Sequence, residues 1–101
     1  MGRVLQLIPT YSLALAAVAR RGRLTERGRR AVRAELRRLE SARELPAPTD
    51  FEALLSPPAV GVAWARKVSG ARLWVLYRLD GPHVALWQLS DWEPRAVEPS
   101  D

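Results

Sequence analysis

Residues 71–81, Ala-Arg-Leu-Trp-Val-Leu-Tyr-Arg-Leu-Asp-Gly, alternate in character. Odd positions Leu73, Val75, Tyr77 and Leu79 are apolar or aromatic. Even positions Arg72, Trp74 and Arg78 combine charge with a flat ring, and only Leu76 breaks that set. A strand has period two, so the two sets point to opposite sides of a sheet. One side suits a core. The other suits phosphate, a nucleobase or an acidic partner.

Flanking residues extend this strand into a three-strand meander over residues 60–92. Ser69-Gly70 reads as a two-residue hairpin between Ala59–Val68 and Ala71–Leu79. That register sets Lys67 across from Arg72, Ala65 from Trp74 and Gly61 from Arg78. Arg66 then meets Leu73, Trp64 meets Val75 and Val62 meets Tyr77. Asp80-Gly81 is the second turn, and Pro82, which lacks an N–H, extends the loop toward His83. Tyr77 then faces Val84, Val75 faces Leu86 and Trp74 faces Trp87. A one-residue bulge at that turn would reverse the third strand.

Upstream, Val4–Ile8 reads as a short strand ended by Pro9. Tyr11 to about Arg21 reads as a buried helix, capped by Thr10 or Ser12 and stopped at Gly22. Leu24 to about Ala42 is the clearest helix, with Thr25 as N-cap. Gly28, Val32, Leu36 (beside Glu35) and Leu39 recur at roughly 3.5 residues and form one stripe. Arg27, Arg30, Arg33, Arg37 and Arg38 take the other side. Residues 45–58 form a Pro-rich connector in which Thr49-Asp50-Phe51-Glu52 resembles a capping box opening one helical turn through Leu55. Residues 93–101 read as a tail, leaving 1–92 as a single domain. The pattern predicts an α+β fold of order β-α-α-β-β-β. A helical hairpin packs on one face of an antiparallel sheet, and the Lys67, Arg72, Trp74, Arg78, Trp87 face is left uncovered.

Composition narrows the partners. The 101 residues carry a net charge of +5, and Lys67 is the sole Lys among sixteen Lys and Arg. Arg favours bidentate contact with phosphate or carboxylate. The balance points to nucleic acid or an acidic protein. Without Cys there is no thiolate metal site, and one His with scattered carboxylates predicts neither metal nor cofactor. Met1-Gly2-Arg3, the apolar run to Ala19 and Ala17-Val18-Ala19 imitate a secretory leader. Gln6, Pro9, Thr10 and Ser12 interrupt that run, and Arg20-Arg21-Gly22-Arg23 is an unfavourable flank, so the segment reads as part of the fold. No run reaches the ~18 apolar residues of a membrane span. A cytoplasmic protein with no membrane partner is expected, with homo-oligomerisation left open.

Arg66-Lys67-Val68-Ser69-Gly70 followed by Leu73-Trp74-Val75-Leu76-Tyr77-Arg78-Leu79-Asp80 resembles the K-L-x-G … Y-R-V-L-Y-x-I-D pattern of the RelE/ParE superfamily of type II toxins. The element order is similar over the whole chain. The resemblance implies a cytoplasmic toxin neutralised by a small acidic antitoxin. RelE-type members cut mRNA on the ribosome, using basic residues of the central strands on phosphate. Here those would be Lys67, Arg72 and Arg78. Trp74 stands where the family usually has Arg, and Asp91-Trp92-Glu93-Pro94 replaces its C-terminal Tyr or His. ParE-type members act on gyrase without nuclease chemistry, so a non-catalytic toxin and an orphan nucleic-acid-binding module are the alternatives.

For endoribonuclease chemistry, Lys67, Arg72 and Arg78 supply charge stabilisation. His83 is the one side chain with an ordinary pKa near neutrality. Trp74 and Trp87 offer stacking surfaces, and Arg30, Arg33 and Arg37 a second polyanion contact.

Overall fold

The computed structural model describes residues 2–54 and 63–97. Its elements run β1 (Val4–Leu7), α1 (Pro9–Arg20), α2 (Glu26–Ser41), β2 (Phe51–Ala53), β3 (Ala63–Lys67), β4 (Trp74–Asp80) and β5 (His83–Ser90). The sheet order is β1-β5-β4-β3-β2. Pairing is antiparallel from β2 to β5, and β1 joins β5 in parallel. Among the described residues no helix is long and apolar enough to cross a membrane.

Both helices end as their sequences dictate. Pro9 opens α1, where a missing N–H costs nothing. Thr10 does not cap the helix: its hydroxyl donates to the Trp87 carbonyl at 2.7 Å. At the other end the amides of Gly22 and Arg23 donate to the carbonyls of Ala19 and Val18, with Gly22 at φ 72°. This is a Schellman closure, which requires a left-handed residue. In α2 the Thr25 hydroxyl accepts from the Gly28 amide at 3.0 Å. Gly28, Val32, Glu35 and Leu39 form its buried side. The helices cover Val68, Leu73, Val75, Tyr77, Val84 and Leu86.

The Ser69-Gly70 hairpin is looser than a two-residue loop. The first residue of such a loop needs positive φ, and here Gly70 alone has it, at 80°. Val68 to Ala71 therefore makes a turn of its own, and pairing resumes only through the Val68 amide on the Leu73 carbonyl. Lys67 faces Trp74, Ala65 faces Leu76 and Trp64 faces Tyr77. The register differs from the expected one by two residues. Parity is kept, but Arg72 leaves the strand.

The β4–β5 turn holds Gly81 and Pro82, with Asp80 facing His83 and Tyr77 facing Leu86. The bulge comes later, where β5 carries Trp87 as an extra residue between the partners of Tyr77 and Leu76. The turn at Gly81-Pro82 moves the register by two residues and the bulge by one more, so Trp74 faces Ser90 rather than Trp87.

Two segments differ more strongly from expectation. Residues 51–53 form a strand instead of a helical turn. Asp50 cannot serve a helix start, because its carboxylate accepts from the Ala47 amide, the Arg66 Nε and the Tyr77 hydroxyl. Phe51 packs with Ala65, Trp74 and Leu76 on the side away from the helices. The second correction is the tail. Leu54 donates to the Arg95 carbonyl at 2.8 Å, Val97 donates to Glu52 at 2.9 Å, and Ala96 bridges Ala53. Residues 91–97 thus pass from β5 to the outer edge of β2. They blunt an edge that would otherwise pair with other chains, and with Phe51 they help cover a face expected to be open.

Beneath the helices lies a charged cluster. Arg66 lies 3.1 Å from Asp50 and 3.6 Å from Glu35, whose side chains are 1% and 6% exposed. Glu35 also accepts from Arg38 at 2.9 Å and from the Ser69 amide at 3.1 Å. Asp50→Ala strands both Arg66 and the Tyr77 hydroxyl, and should lower unfolding free energy by about 3 kcal/mol. Tyr77→Phe removes one hydrogen bond and should cost about 1–2 kcal/mol. Urea unfolding of both variants tests the ranking.

Tyr11 and Tyr77 are the only tyrosines. Burial pushes the Tyr11 phenol up to about 12. Burial, then the hydrogen bond to Asp50, raises Tyr77 well beyond the usual range. Each folded pKa lies above its unfolded value near 10. Their contribution to stability is complete below that value and declines as pH rises through the folded pKa values. Ultraviolet titration of the folded protein should show no phenolate near pH 10. A half-equivalent forming there would contradict the burial.

Candidate nucleic-acid interface

On the helix-free face the basic and aromatic residues form two separate pairs. At one end the Lys67 ammonium lies over the Trp74 ring, 5.2 Å from its centre. The same ammonium donates to the carbonyls of Val68 and Ala71. Trp74 is 7% exposed, so no base can stack on it. Fastened to its own loop, Lys67 serves the hairpin more than a ligand.

At the other end Arg78 lies over the Trp87 ring at 5.0 Å. Alternation from Ala85, the partner of Arg78, places Trp87 on this face, and both side chains are half-buried. His83 stands opposite Asp80, one position along the face from Ala85, the partner of Arg78. This end presents a guanidinium, an aromatic ring and an imidazole together. Arg78 is four residues along β4 from Trp74, about 13 Å at strand rise.

Arg72 lies with neither pair. It is exposed in the β3–β4 loop and lines a cleft with Arg23, Arg27 and Thr25. Arg30, Arg33 and Arg37 are exposed on α2, outside both the sheet face and this cleft. Among the described residues no group of His, Asp and Glu gathers as a metal site requires. Of the expected set, then, Arg78, Trp87 and His83 share one end, Lys67 and Trp74 pair at the other, and Arg72, Arg30, Arg33 and Arg37 join neither.

Several functional candidates were not foreseen. A cleft of about 410 Å³ between the sheet and residues 91–97 is lined by Leu54, Leu76, Gln88, Ser90, Trp92, Pro94 and Arg95. Trp92 is 60% exposed, and Arg21 lies over its ring at 5.7 Å. Arg21 also donates to both Asp91 carboxylate oxygens, at 2.8 and 3.2 Å. A tail expected to fray gives no hint of this corner. By contrast, Arg66 on the core side of its strand and Glu35 within a buried helix stripe do signal the inner ion pair, since two charges facing one core must meet.

No protein-family model, curated protein or solved structure matches this chain.

The corner has a pH signature. The hydrogen bonds from Arg21 hold the Asp91 carboxyl below its usual value. A depressed folded pKa contributes stability above the unfolded carboxyl pKa, and that contribution is lost as pH falls through the folded value. Asp91→Asn should therefore flatten the decline in stability below about pH 4 while leaving the curve above pH 6 parallel to that of the parent. Urea midpoints across this range test it, and parallel curves throughout would show that the pair contributes nothing.

Proposed function

We propose that the chain is a RelE/ParE-type toxin-like protein directed at RNA, and that it contacts RNA through the Arg78–Trp87–His83 end of the helix-free sheet face. The observation that carries this reading is the Arg78 guanidinium stacked on Trp87. A cation and a π-face offered together recognise a nucleotide by its phosphate and its base, largely independent of sequence. The net charge of +5 adds long-range attraction to polyanions. The element order, with a helical hairpin over one sheet face, agrees with the family resemblance. Within that reading the partners are RNA on the ribosome and a small acidic antitoxin, and the compartment is the cytoplasm.

Cleavage of free RNA is not part of this reading. The reaction needs a base for the 2′-hydroxyl, charge stabilisation at the phosphate and an acid for the leaving oxygen. Arg78 and His83 could serve one phosphate together, but Lys67 and Arg72 lie elsewhere. Any ribonuclease activity would depend on groups that the ribosome supplies. The same separation favours a second reading, a non-catalytic toxin that binds a protein target. Induced expression in bacteria divides the two: arrest of translation with cut mRNA supports the first, and a replication block supports the second.

Binding can be measured directly. Each phosphate contact releases counterions, so affinity for single-stranded RNA should fall steeply between about 50 and 200 mM salt. Reversing Arg78 to Glu together with Trp87→Ala should weaken binding about tenfold or more by fluorescence anisotropy, the cost of roughly one charged contact and one stacked base. Reversing Arg30 and Arg33 should cost less. Equal losses would mean diffuse attraction with no site on the sheet.

A further inference from the structure

The corner where α1 turns into α2 holds a second electropositive feature, separate from the sheet face. A cleft of about 300 Å³ opens there, at the small end of the range for ligand sites. Three arginines from three segments line it: Arg23 from the α1–α2 turn, Arg27 from the first turn of α2 and Arg72 from the β3–β4 loop. None of them makes an ion pair among the described residues. The one acid lining the cleft, Asp91, is already matched by the two hydrogen bonds from Arg21. Thr25 lines the cleft as well. Its oxygen accepts from the Gly28 amide at 3.0 Å, and its own O–H can still donate to a ligand. Gly28 and Leu73 complete the lining.

Three guanidiniums around one small cleft repel one another, and among the described residues Asp91, already held by Arg21, is the one acid that lines it. A tetrahedral dianion fits this set better than a carboxylate, because its three terminal oxygens can each take a forked or single N–H contact while a carboxylate offers two. We propose that this cleft binds a phosphate monoester, with Arg23, Arg27 and Arg72 on the terminal oxygens and the Thr25 hydroxyl as a fourth donor. The group could come from the phosphorylated end of a nucleic acid or from a free phosphorylated small molecule. The site does not depend on the sheet-face reading, and it gives Arg72 a role in positioning an anion away from β4.

The test is an amide-resolved NMR titration of the full chain with three probes: inorganic phosphate, a short oligoribonucleotide carrying a 5′-phosphate, and the same oligonucleotide with a 5′-hydroxyl. Gly22, Gly28 and Gly70 report on the cleft. Inorganic phosphate should shift these amides saturably, and acetate at equal ionic strength should not. Arg72→Gln, an exposed loop change that leaves the core intact, should weaken phosphate binding at least tenfold, and Arg27→Gln should do the same. Arg43→Gln, beyond the far end of α2, should stay within twofold. If the 5′-phosphorylated oligonucleotide binds at least tenfold tighter than inorganic phosphate and the 5′-hydroxyl form, the ligand is a nucleic-acid end. If inorganic phosphate matches it, the ligand is a free phosphorylated molecule. Shifts that never saturate, or equal responses to phosphate and acetate, would overturn the site. So would binding that survives both Arg72→Gln and Arg27→Gln. Failure of RNA binding with saturable phosphate shifts would sink the sheet-face reading and leave this one standing.

Discussion

The arrangement rests on Arg66, held between two buried carboxylates. Asp50 lies just before β2, Glu35 belongs to α2, and Tyr77 joins them from β4. Four segments are thereby fixed to one another by groups that must all be present. A buried charge with its partner removed is costly, whereas a complete set is roughly neutral against an apolar core. The cluster therefore adds little net stability and a great deal of definition. It fixes the rotation of α2 about its axis, because Glu35 must face Arg66. It also fixes the connector, because Asp50 can reach Arg66 and Tyr77 only if residues 51–53 run alongside β3. Through the Ser69 amide, Glu35 holds the hairpin loop as well, and that loop carries Arg72 toward the first turn of α2.

The helix-free face has its own constraint. The three-residue β2 would be a weak edge by itself. Residues 95–97 extend it by a further short ladder, and the Ser90 hydroxyl, bonded to the Trp92 backbone, helps turn the chain toward it. This return covers the lower half of the face, where Trp74, Leu76 and Ala65 are buried, and leaves the upper half around Arg78 and Trp87. A turn at Gly81-Pro82 in place of Asp80-Gly81 moves the register by two residues and the bulge on β5 by one more, so that Trp74 meets Ser90. The two tryptophans are thus moved apart, one into a small core and one beneath Arg78.

Much of this was legible along the chain, for identifiable reasons. Amphipathic periodicity with a good N-cap placed α2, and the glycine at the end of α1 placed the turn. Alternation from Leu73 to Leu79, broken only at Leu76, assigned the two faces of β4 correctly, since a register error of two residues preserves parity. What was illegible depends on long-range partners. Asp50 looks like a helix starter until Arg66 and Tyr77 claim its carboxylate. The C-terminal segment looks like a tail until an edge strand three places along the sheet accepts it. The failure at Ser69-Gly70 is local and instructive. A serine is an ordinary turn residue, but a two-residue hairpin demands a left-handed conformation there that only glycine adopts without cost.

That one backbone preference separates the charges. Had Ser69 taken positive φ, Arg72 would face Lys67, and three basic residues of β3 and β4 would share one sheet face. With positive φ at Gly70 alone, the strand begins two residues later. Lys67 folds back over Trp74 to hold the loop, and Arg72 swings to the corner beside Arg23 and Arg27. The chain therefore offers two smaller electropositive places, a stacked cation on the sheet and a cleft at the helix turn, divided by the Arg21–Asp91 pair and the exposed Trp92.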